Sequence, residues 1–441
     1  MERTIRRALA IGTMILALGA CRGGGFRCDP SPSWTVGDAP DAGMATRERC
    51  TGECFIDEVR LGPRHTCIEV YPDAEVVCFG ANEAGQSAPH LDAPVVPPTR
   101  VGQRADREYY GDLAVGELHS CAIHEAATIC WGSADVLGAP EREPRVIATT
   151  LAPEIIGSGA LHTCIEGYES GRAVECFGAW DGIDPGSAAH TPRRRPDLSV
   201  PGSSVVLGAF SECQLRDWPT DDDMAQYFPY CWGGTPPPGP FGPGAWNASP
   251  RELFVAGISA FDFPVSTGPV VTCLADAYAY LSWRPPGGIV CIGDGRRGGL
   301  GNGDLAITEA PGQPARAEEP LAYPCVGGRV DIVRGDDGLQ IGETVGGHVC
   351  AVGSESVWCW GANDRGQLGD GTTEDRSMPV RVEGLPASEY YLLACGGEHT
   401  CALTADGVLW CWGDNRWGQL GVEGPGLRAV PERVWIAGAF E

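Results

Sequence analysis

The sequence contains no lysine, so all 32 of its basic residues are arginines. This absence excludes mechanisms that need a side-chain amine, such as a Schiff base or the lysine of a phosphate-binding loop. Acidic residues number 58, and the formal net charge is -26. A chain this acidic repels a phosphate backbone, so nucleic acid is not expected among its partners.

Motifs of the common catalytic machineries are also missing. The chain has no G-x-S-x-G elbow, no H-E-x-x-H zinc motif, no phosphate-binding loop and no Rossmann fingerprint. It also lacks a C-x-x-C redox motif. We therefore expect a protein that is not an enzyme and binds no cofactor. An active site assembled from distant residues in a central funnel stays open as an alternative.

The N-terminus has the pattern of an export signal. Arginines precede an apolar run, Ala8–Ala20, that is too short for a typical membrane-spanning helix. The run ends in Leu18–Cys21, which resembles a bacterial lipobox and implies cleavage before Cys21 and a lipid on its sulfur. An ordinary signal peptide is the alternative.

The expected layout follows from this resemblance. Residues 1–20 are predicted to be a lipoprotein signal, and 21–54, rich in Gly, Pro and Asp, a tether. The mature protein is then exported and anchored in the bacterial envelope. Because Arg22 rather than aspartate follows the lipid site, we expect the outer membrane.

A motif with two cysteines recurs seven times, about every 50 residues. Its clearest copy, residues 396–421, reads GGEHTCALTADGVLWCWGDNRWGQLG. Two short apolar runs flank a turn at Asp406–Gly407, which is typical of paired strands. Repeats of this length that are built of short strands predict a β-propeller with seven blades.

These units resemble the regulator of chromosome condensation repeat. The residues that carry the likeness are His399–Thr400, Asp406–Gly407, Trp412–Gly413, Asn415 and Gly418–Gly421 in the seventh unit, and Gly361–Asn363 and Gly366–Gly369 in the sixth. The likeness is weaker in the first three units and weakest in the fourth and fifth. It implies an all-β fold, a seven-bladed β-propeller of four-stranded blades over 55–441. It also implies that the two chain ends pair to close the ring, with Arg433–Gly438 beside the first blade.

The paired cysteines lie at equal distances from predicted hairpin turns, as Cys401 and Cys411 do from Asp406. Residues so placed face each other, about 4.5–5.5 Å apart, within reach of a disulfide. We predict one cross-strand disulfide per blade. The pairs are Cys67–Cys78, Cys121–Cys130, Cys164–Cys176, Cys213–Cys231, Cys273–Cys291, Cys350–Cys359 and Cys401–Cys411. No partner can be assigned to Cys28, Cys50, Cys54, Cys325 or Cys395.

A histidine precedes the first cysteine in most units, which raises the question of a metal site. A zinc site at His399, Cys401 and Cys411 would have to recur, yet Ser211 and Val271 occupy the histidine position in two units. We therefore expect no metal and interpret the histidine as a structural hydrogen-bonding residue at the start of a strand.

The fourth and fifth units have the longest hairpins, with 17 residues between paired cysteines against 8 to 11 in the others. The added residues are rich in aromatic side chains: Trp218, Tyr227, Phe228 and Tyr230 in the fourth unit, and Tyr278, Tyr280 and Trp283 with Arg284 in the fifth. Because both hairpins emerge on the same face of neighbouring blades, we expect a binding hot spot there. The alternative is that the hairpins pack on each other and bind nothing.

The sequence therefore predicts a monomeric, lipid-anchored propeller of the cell envelope that acts as a protein-binding platform, with its ligand unidentified. The nucleotide-exchange activity of the eukaryotic family member is not expected, because no motif encodes it. A carbohydrate-binding module for surface glycans is the alternative, because the same aromatic side chains could stack on sugar rings.

Overall fold

The computed structural model of the protein describes residues 55–71, 75–101, 110–124, 127–138, 144–169, 172–178, 189–194, 205–207, 211–218, 226–233, 251–252, 265–275, 288–308, 315, 317–335, 338–345 and 347–434. The predicted signal, the tether and the lipid site at Cys21 lie outside these residues, as do Cys28, Cys50 and Cys54. Among the described residues, no helix is long and apolar enough to cross a membrane.

Nearly all regular structure in these residues is β-strand. The first three repeats contain β1 (Phe55–Leu61), β2 (His65–Tyr71), β3 (Glu75–Ala81), β4 (Val95–Arg100), β5 (Tyr110–Val115), β6 (His119–His124), β7 (Ala127–Gly132), β8 (Arg145–Ile147), β9 (Ala152–Ser158), β10 (His162–Tyr168), β11 (Arg172–Gly178) and β12 (Ala189–Arg194). A one-turn helix, α1 (Ala134–Leu137), follows β7.

The remaining repeats continue the pattern. The fourth and fifth contain β13 (Val205–Leu207), β14 (Ser211–Trp218), β15 (Gln226–Gly233), β16 (Arg251–Glu252), β17 (Val265–Thr267), β18 (Val271–Ala275), β19 (Ile289–Asp294) and β20 (Ile307–Thr308). The sixth and seventh contain β21 (Ala322–Val326), β22 (Arg329–Gly335), β23 (Gly338–Val345), β24 (His348–Val352), β25 (Val357–Gly361), β26 (Arg376–Arg381), β27 (Tyr390–Cys395), β28 (His399–Thr404), β29 (Leu409–Asp414) and β30 (Leu427–Arg433).

These strands form seven four-stranded sheets and one two-stranded hairpin. Six of the sheets use four consecutive strands, whereas in the sixth β21 pairs with β24 because the hairpin β22–β23 is inserted between them. We call the strands of each blade A to D in chain order, leaving this inserted hairpin out. The A strands of every blade except the fourth contribute described residues to the wall of an axial cavity, and the D strands lie at the outer edge. The predicted all-β propeller is confirmed, and residues 56–436 group as one unit.

Six of the predicted disulfides are formed, each between the B and C strands of one blade with Cα atoms 4.1 Å apart. The backbone register also pairs Cys213 with Cys231, whose side chains lie outside the described residues. A disulfide that the sequence left unassigned joins Cys325 to Cys395. Unlike the others, it links two different blades.

An aromatic residue after the C-strand cysteine fills the core between neighbouring blades. Trp131, Trp360 and Trp412 are at most 1% exposed. Their indole N–H groups donate to backbone carbonyls of the preceding blade at 2.8, 3.1 and 2.9 Å. A glycine with positive φ follows each aromatic residue, as at Gly132, where a Cβ would lie 2.5 Å from a backbone oxygen. The repeated aromatic–glycine pair therefore places the aromatic ring and lets two backbones approach closely.

The histidines join the blades. His65, His348 and His399 contact Ser120, Thr400 and Thr66 of the following blade through Nε2 at 2.8, 2.9 and 3.0 Å. Each of these hydroxyls donates its one proton to a carbonyl of the preceding blade, so the histidine Nε2–H must donate to the hydroxyl. This confirms the structural role expected of the histidine.

The same bonds close the ring. The contact from His399 to Thr66 joins the seventh blade to the first, and Thr66 Oγ1 also donates to Gln419 O at 2.8 Å. Of the segment Arg433–Gly438 expected beside the first blade, Arg433 pairs with Trp410 at the end of the seventh-blade sheet, and residues 435–438 lie outside the described residues. Each of these two sheets is complete without a strand from the other chain end.

Candidate functional site

The aromatic residues predicted to form a hot spot are only partly described. Trp218, Tyr227, Phe228 and Tyr230 lie within β14 and β15, paired with Gln226, Asp217, Arg216 and Gln214, so they belong to a long strand pair. The B–C pair of this blade extends as far as Trp218 and Gln226, so these four residues lie on the strands of the predicted hairpin. The side chains of these four residues, and all of Tyr278, Tyr280, Trp283 and Arg284, lie outside the described residues.

Successive connections of an antiparallel sheet lie at its opposite ends, which gives the ring two distinct faces. The A–B turns and C–D loops share one end of every blade, which we call the loop face. The B–C hairpins, including those of the fourth and fifth blades, emerge on the other, the hairpin face. The inserted hairpin β22–β23 leaves an A–B turn and therefore belongs to the loop face. Sequence reasoning missed this hairpin, although alternating apolar residues around Gly335–Gly338 carry its signal.

The C–D loops of the loop face are rigid because an asparagine and a glutamine bond to their backbone. In the seventh blade, Asn415 Nδ2 donates to the carbonyls of Val422 and Gly424 at 3.2 and 2.7 Å, and its Oδ1 accepts from Leu420 N at 3.0 Å. Gln419 Oε1 accepts from Trp417 N at 2.9 Å. Asn82 with Gln86, and Asn363 with Gln367, hold the same positions in the first and sixth blades.

Each of these loops displays two residues between the asparagine and the next glycine. They are Glu83–Ala84 in the first blade, Asp364–Arg365 in the sixth and Arg416–Trp417 in the seventh. Of these, Glu83, Asp364 and Arg416 are exposed, while the other three are half-buried. The three loops thus share one geometry but present different side chains, which is a suitable basis for specific recognition.

Around the seventh blade, the displayed residues join a cluster of arginines centred on a buried carboxylate. Glu398, with 3% of its side chain exposed, lies 3.1 Å from Arg329, 3.0 Å from Arg416 and 3.7 Å from Arg365. Arg416 also bonds Asp414 at 2.8 Å. The side chains of Arg365 and Arg416 are 37% and 42% exposed. Both arginines can therefore contact an acceptor while Arg416 stays bonded to Glu398 and Asp414.

An aromatic side chain adjoins the arginine cluster. The guanidinium carbon of Arg64, on the A–B turn of the first blade, lies 5.3 Å from the centre of the Trp417 ring, a cation–π distance. Arg64 also bonds Glu117 of the second blade at 2.7 Å. Arginine and tryptophan are the residues most enriched in binding hot spots. The cluster, Trp417 and Arg64 thus form a candidate site that crosses the sixth-to-seventh and the seventh-to-first blade seams.

On the other side of the cluster, Arg297 of the fifth blade bonds Asp364 at 2.9 Å and Asp375 at 2.8 Å. Burial raises the pKa of Asp364, but the hydrogen bond and charge of Arg297, a backbone hydrogen bond and the charge of Arg365 together outweigh it, so the pKa of Asp364 lies below its usual range. These pairs fix the displayed residues of neighbouring loops relative to each other.

One cluster in the described residues has the composition of a metal site. A nitrogen of His348 and the sulfurs of Cys350 and Cys395 lie within 4.8 Å of one another. Both sulfurs are held in disulfides, and His348 Nε2 bonds Thr400. The cluster therefore offers no thiolate in the oxidised protein, and metal binding normally requires one.

Comparison with known proteins identifies the repeats. Family models of the regulator of chromosome condensation (RCC1) repeat match residues 354–403 and 392–419. The chain is 44% identical over 92 residues to the ultraviolet-B receptor UVR8 of Arabidopsis thaliana, covering 21% of each chain. It is 31% identical over 169 residues to the human E3 ubiquitin-protein ligase HERC2, covering 36% of this chain and 3% of the ligase. The chain thus spans a small part of these relatives.

The fold has relatives among solved structures. Human WBSCR16 superposes with a TM-score of 0.62 at 18% identity, covering 82% of this chain and 95% of that one. Yeast RCC1 (Prp20), solved bound to Kap60, superposes at 0.59 with 14% identity, covering 87% and 85%. Another structure of Prp20, from Saccharomyces cerevisiae, is described together with its binding to Gsp1p and histones. The protein is thus a β-propeller that carries RCC1 repeats.

Proposed function

We propose that this propeller is a protein-binding platform whose loop face docks a partner protein at the arginine cluster and Trp417. The observation that carries the proposal is the construction of that face: rigid C–D loops hold Arg365 and Arg416 over the buried Glu398, with Trp417 alongside. A preorganised site loses little conformational entropy on binding. The partner class is a protein with carboxylate groups that match the exposed guanidinium surface.

The enzyme alternative finds little support in the axial cavity. Among the described residues that line it, Arg60 has the one charged side chain, and the rest of the wall is apolar residues, glycine, hydroxyl groups and disulfide-bonded cysteine. Burial, with nearby charged groups, lowers the pKa of His65 and His119 to about 3. Both side chains bond across blade seams, so neither is placed as a general base. The carbohydrate alternative depends on the long hairpins, whose aromatic side chains lie outside the described residues.

The proposed location is the bacterial envelope, with a monomeric propeller held by a lipid on Cys21. Support comes from the lipobox-like sequence and from the six formed disulfides, which suit an oxidising compartment. Metabolic labelling with an alkyne fatty acid tests the anchor. Wild type should be labelled and Cys21→Ser should not; label on both proteins would contradict lipidation at this cysteine.

Site-specific photocrosslinking of the full chain in its native cells tests the binding face. A photoreactive residue at Trp417 should give a protein adduct, and one at Glu355, exposed on a B–C hairpin of the opposite face, should not. Arg416→Glu with the Trp417 probe should remove the adduct, because it places a carboxylate next to Glu398. Adducts from Glu355 alone would move the site to the hairpin face. Glycan binding without protein adducts would favour the carbohydrate module.

A further inference from the structure

The disulfide Cys325–Cys395 differs from the other described disulfides in what it joins. The six cross-strand disulfides each link B and C strands within one blade, over separations of 9 to 18 residues. Cys325–Cys395 instead links β21 to β27, the A strands of the sixth and seventh blades, over 70 residues. It therefore crosses a seam between blades at the wall of the axial cavity.

Exposure separates the two kinds of disulfide further. The twelve cysteines of the six cross-strand disulfides are 0 to 3% exposed. Cys325 is 8% exposed, Cys395 is half-buried, and both line the axial cavity of about 430 Å³. Since thiol–disulfide exchange needs a thiolate to reach a sulfur, a small thiol inside the cavity can reach this disulfide and not the others.

The backbone beside Cys325 is irregular. Tyr323 has φ 48°, the one non-glycine residue with positive φ among the described residues, and its side chain is 61% exposed. The pairing of β21 with β24 shifts register between Ala322 and Cys325, and the intervening Pro324 has no N–H to donate. The strand that carries Cys325 is thus weakly held on one side of the disulfide, whereas the cross-strand cysteines lie in continuous B–C ladders.

The contacts of the seam do not depend on this disulfide. His348 bonds Thr400, and both Thr400 and Trp412 donate to Gln367 O, at 2.9, 3.0 and 2.9 Å. These bonds connect the B and C strands and the C–D loop, farther from the axis than the A strands. Opening Cys325–Cys395 therefore leaves the sixth and seventh blades joined.

We propose that Cys325–Cys395 is a redox site, reduced by a small dithiol that enters the axial cavity while the cross-strand disulfides stay oxidised. A thiolate of the dithiol attacks one sulfur, breaking the Cys325–Cys395 bond and forming a mixed disulfide. The second thiol of the reagent then displaces the remaining cysteine. Two electrons pass from the dithiol to the protein, the dithiol leaves as a cyclic disulfide, and two protons end on Cys325 and Cys395.

A neighbouring sulfur atom, Cys350 Sγ, allows one further disulfide exchange. Cys350 Sγ lies within 4.8 Å of Cys395 Sγ, and Cys350 is the register partner of Cys325. A freed Cys395 thiolate can attack Cys350, form Cys350–Cys395 and release Cys359, which takes up a proton. This exchange consumes no electrons, and it begins only after Cys325–Cys395 has opened.

Timed reduction of the full chain with dithiothreitol, followed by alkylation and peptide mass spectrometry, tests the proposal. Label should appear on Cys325 and Cys395 at least tenfold faster than on any cross-strand pair. Label on Cys325 and Cys359 with a Cys350–Cys395 link also supports it, because that link forms through Cys395. Equally early label on another pair, such as Cys67–Cys78 or Cys401–Cys411, would overturn it.

Two controls separate access through the cavity from general instability. The Cys325→Ser/Cys395→Ser double variant should lose the early labelling phase and keep the slow rates of the cross-strand pairs. If the early phase persists, the site is elsewhere. A thiol attached to a large polyethylene glycol, too bulky for the cavity, should lose the tenfold preference; if it retains the preference, the cavity route is wrong.

Discussion

Two neighbouring seams hold adjacent blades together by different interactions. Hydrogen bonds join the sixth blade to the seventh, and apolar packing joins the fifth to the sixth. At the sixth-to-seventh seam, His348 donates to Thr400, which donates to Gln367 O. At the fifth-to-sixth seam, Val271 and Val349 occupy the equivalent register positions and lie in one buried apolar cluster. Trp360 still donates to Gly299 O, as Trp412 does to Gln367 O.

The two seams differ at both members of the pair: valines stand where the other seam has His348 and Thr400. Removing one partner of a buried hydrogen bond leaves the other unsatisfied, whereas replacing both with apolar groups is close to neutral. Valine at position 271 offers no donor to position 349 of the next blade, and that position is also valine, where the other seam has Thr400. The histidine of this repeat is best understood as half of a pair that spans two blades.

The largest expected loss of stability comes from replacing one member of the His348–Thr400 pair, which joins the sixth and seventh blades in what we call the polar seam. His348→Val should lower the free energy of unfolding by about 2–3 kcal/mol, because a buried hydrogen bond and packing volume are lost together. Chemical denaturation measures this. His90→Val is the matched control: His90 is exposed, and its replacement should change stability by less than about 0.5 kcal/mol. An equal loss in both variants would contradict the seam role of His348.

Low pH should destabilise the seams that contain a buried histidine and leave the Val271–Val349 seam, which we call the valine seam, unaffected. Burial, with nearby His399, lowers the pKa of His348 to about 3, so between pH 3 and about 6.5 the unfolded chain binds a proton that the folded chain does not. Stability is complete above about pH 6.5 and falls as pH decreases through this window, by about 1.4 kcal/mol per pH unit for each such histidine. Denaturation at several pH values should show a slope smaller by one proton in His348→Val. An unchanged slope would mean that His348 titrates normally.

A double-mutant cycle tests whether the two positions are coupled. His348→Val/Thr400→Val copies the valine seam and should cost at least about 1 kcal/mol less than the sum of the single variants. Gln367 O keeps a donor in the double variant, because Trp412 Nε1 still bonds it. Additive losses would show that the residues contribute independently.

The smallest effect is expected from the reverse change in the apolar seam. Val349→Thr adds a buried hydroxyl that has no histidine to bond it. Gly299 O occupies the position equivalent to Gln367 O, which accepts from the Thr400 hydroxyl in the other seam, so the new hydroxyl has an acceptor. The loss should be about 1 kcal/mol or less. A loss as large as that of His348→Val would mean that the two seams are built differently.

What could be predicted from the sequence was local. The cross-strand disulfides follow from the distance of each cysteine to its own hairpin turn, and the fold class follows from the repeat. Cys325–Cys395 could not be predicted, because its cysteines lie 70 residues apart on strands that meet only once the ring is assembled. The partner of His399 could not be predicted for the same reason, since Thr66 lies 333 residues away in the sequence.

The candidate site shows the same limit. The aromatic residues of the long hairpins stood out as a local excess in composition. Arg329, Arg365 and Arg416 did not, because each is an ordinary residue in its own repeat and only the ring brings them to Glu398. The hairpin β22–β23 had a visible signal, but the repeat alignment passed over it as spacing between cysteines.

Each described four-stranded sheet is built from one continuous stretch of chain, including the first and seventh sheets, which meet where the ring closes. A duplicated or altered unit therefore changes its own sheet and the two borders it shares, and leaves every other sheet with all of its strands. That arrangement lets the units diverge singly during evolution. Valines of the fifth and sixth units meet at one border, and the sixth unit contains an extra hairpin, while each of the seven described sheets has four strands.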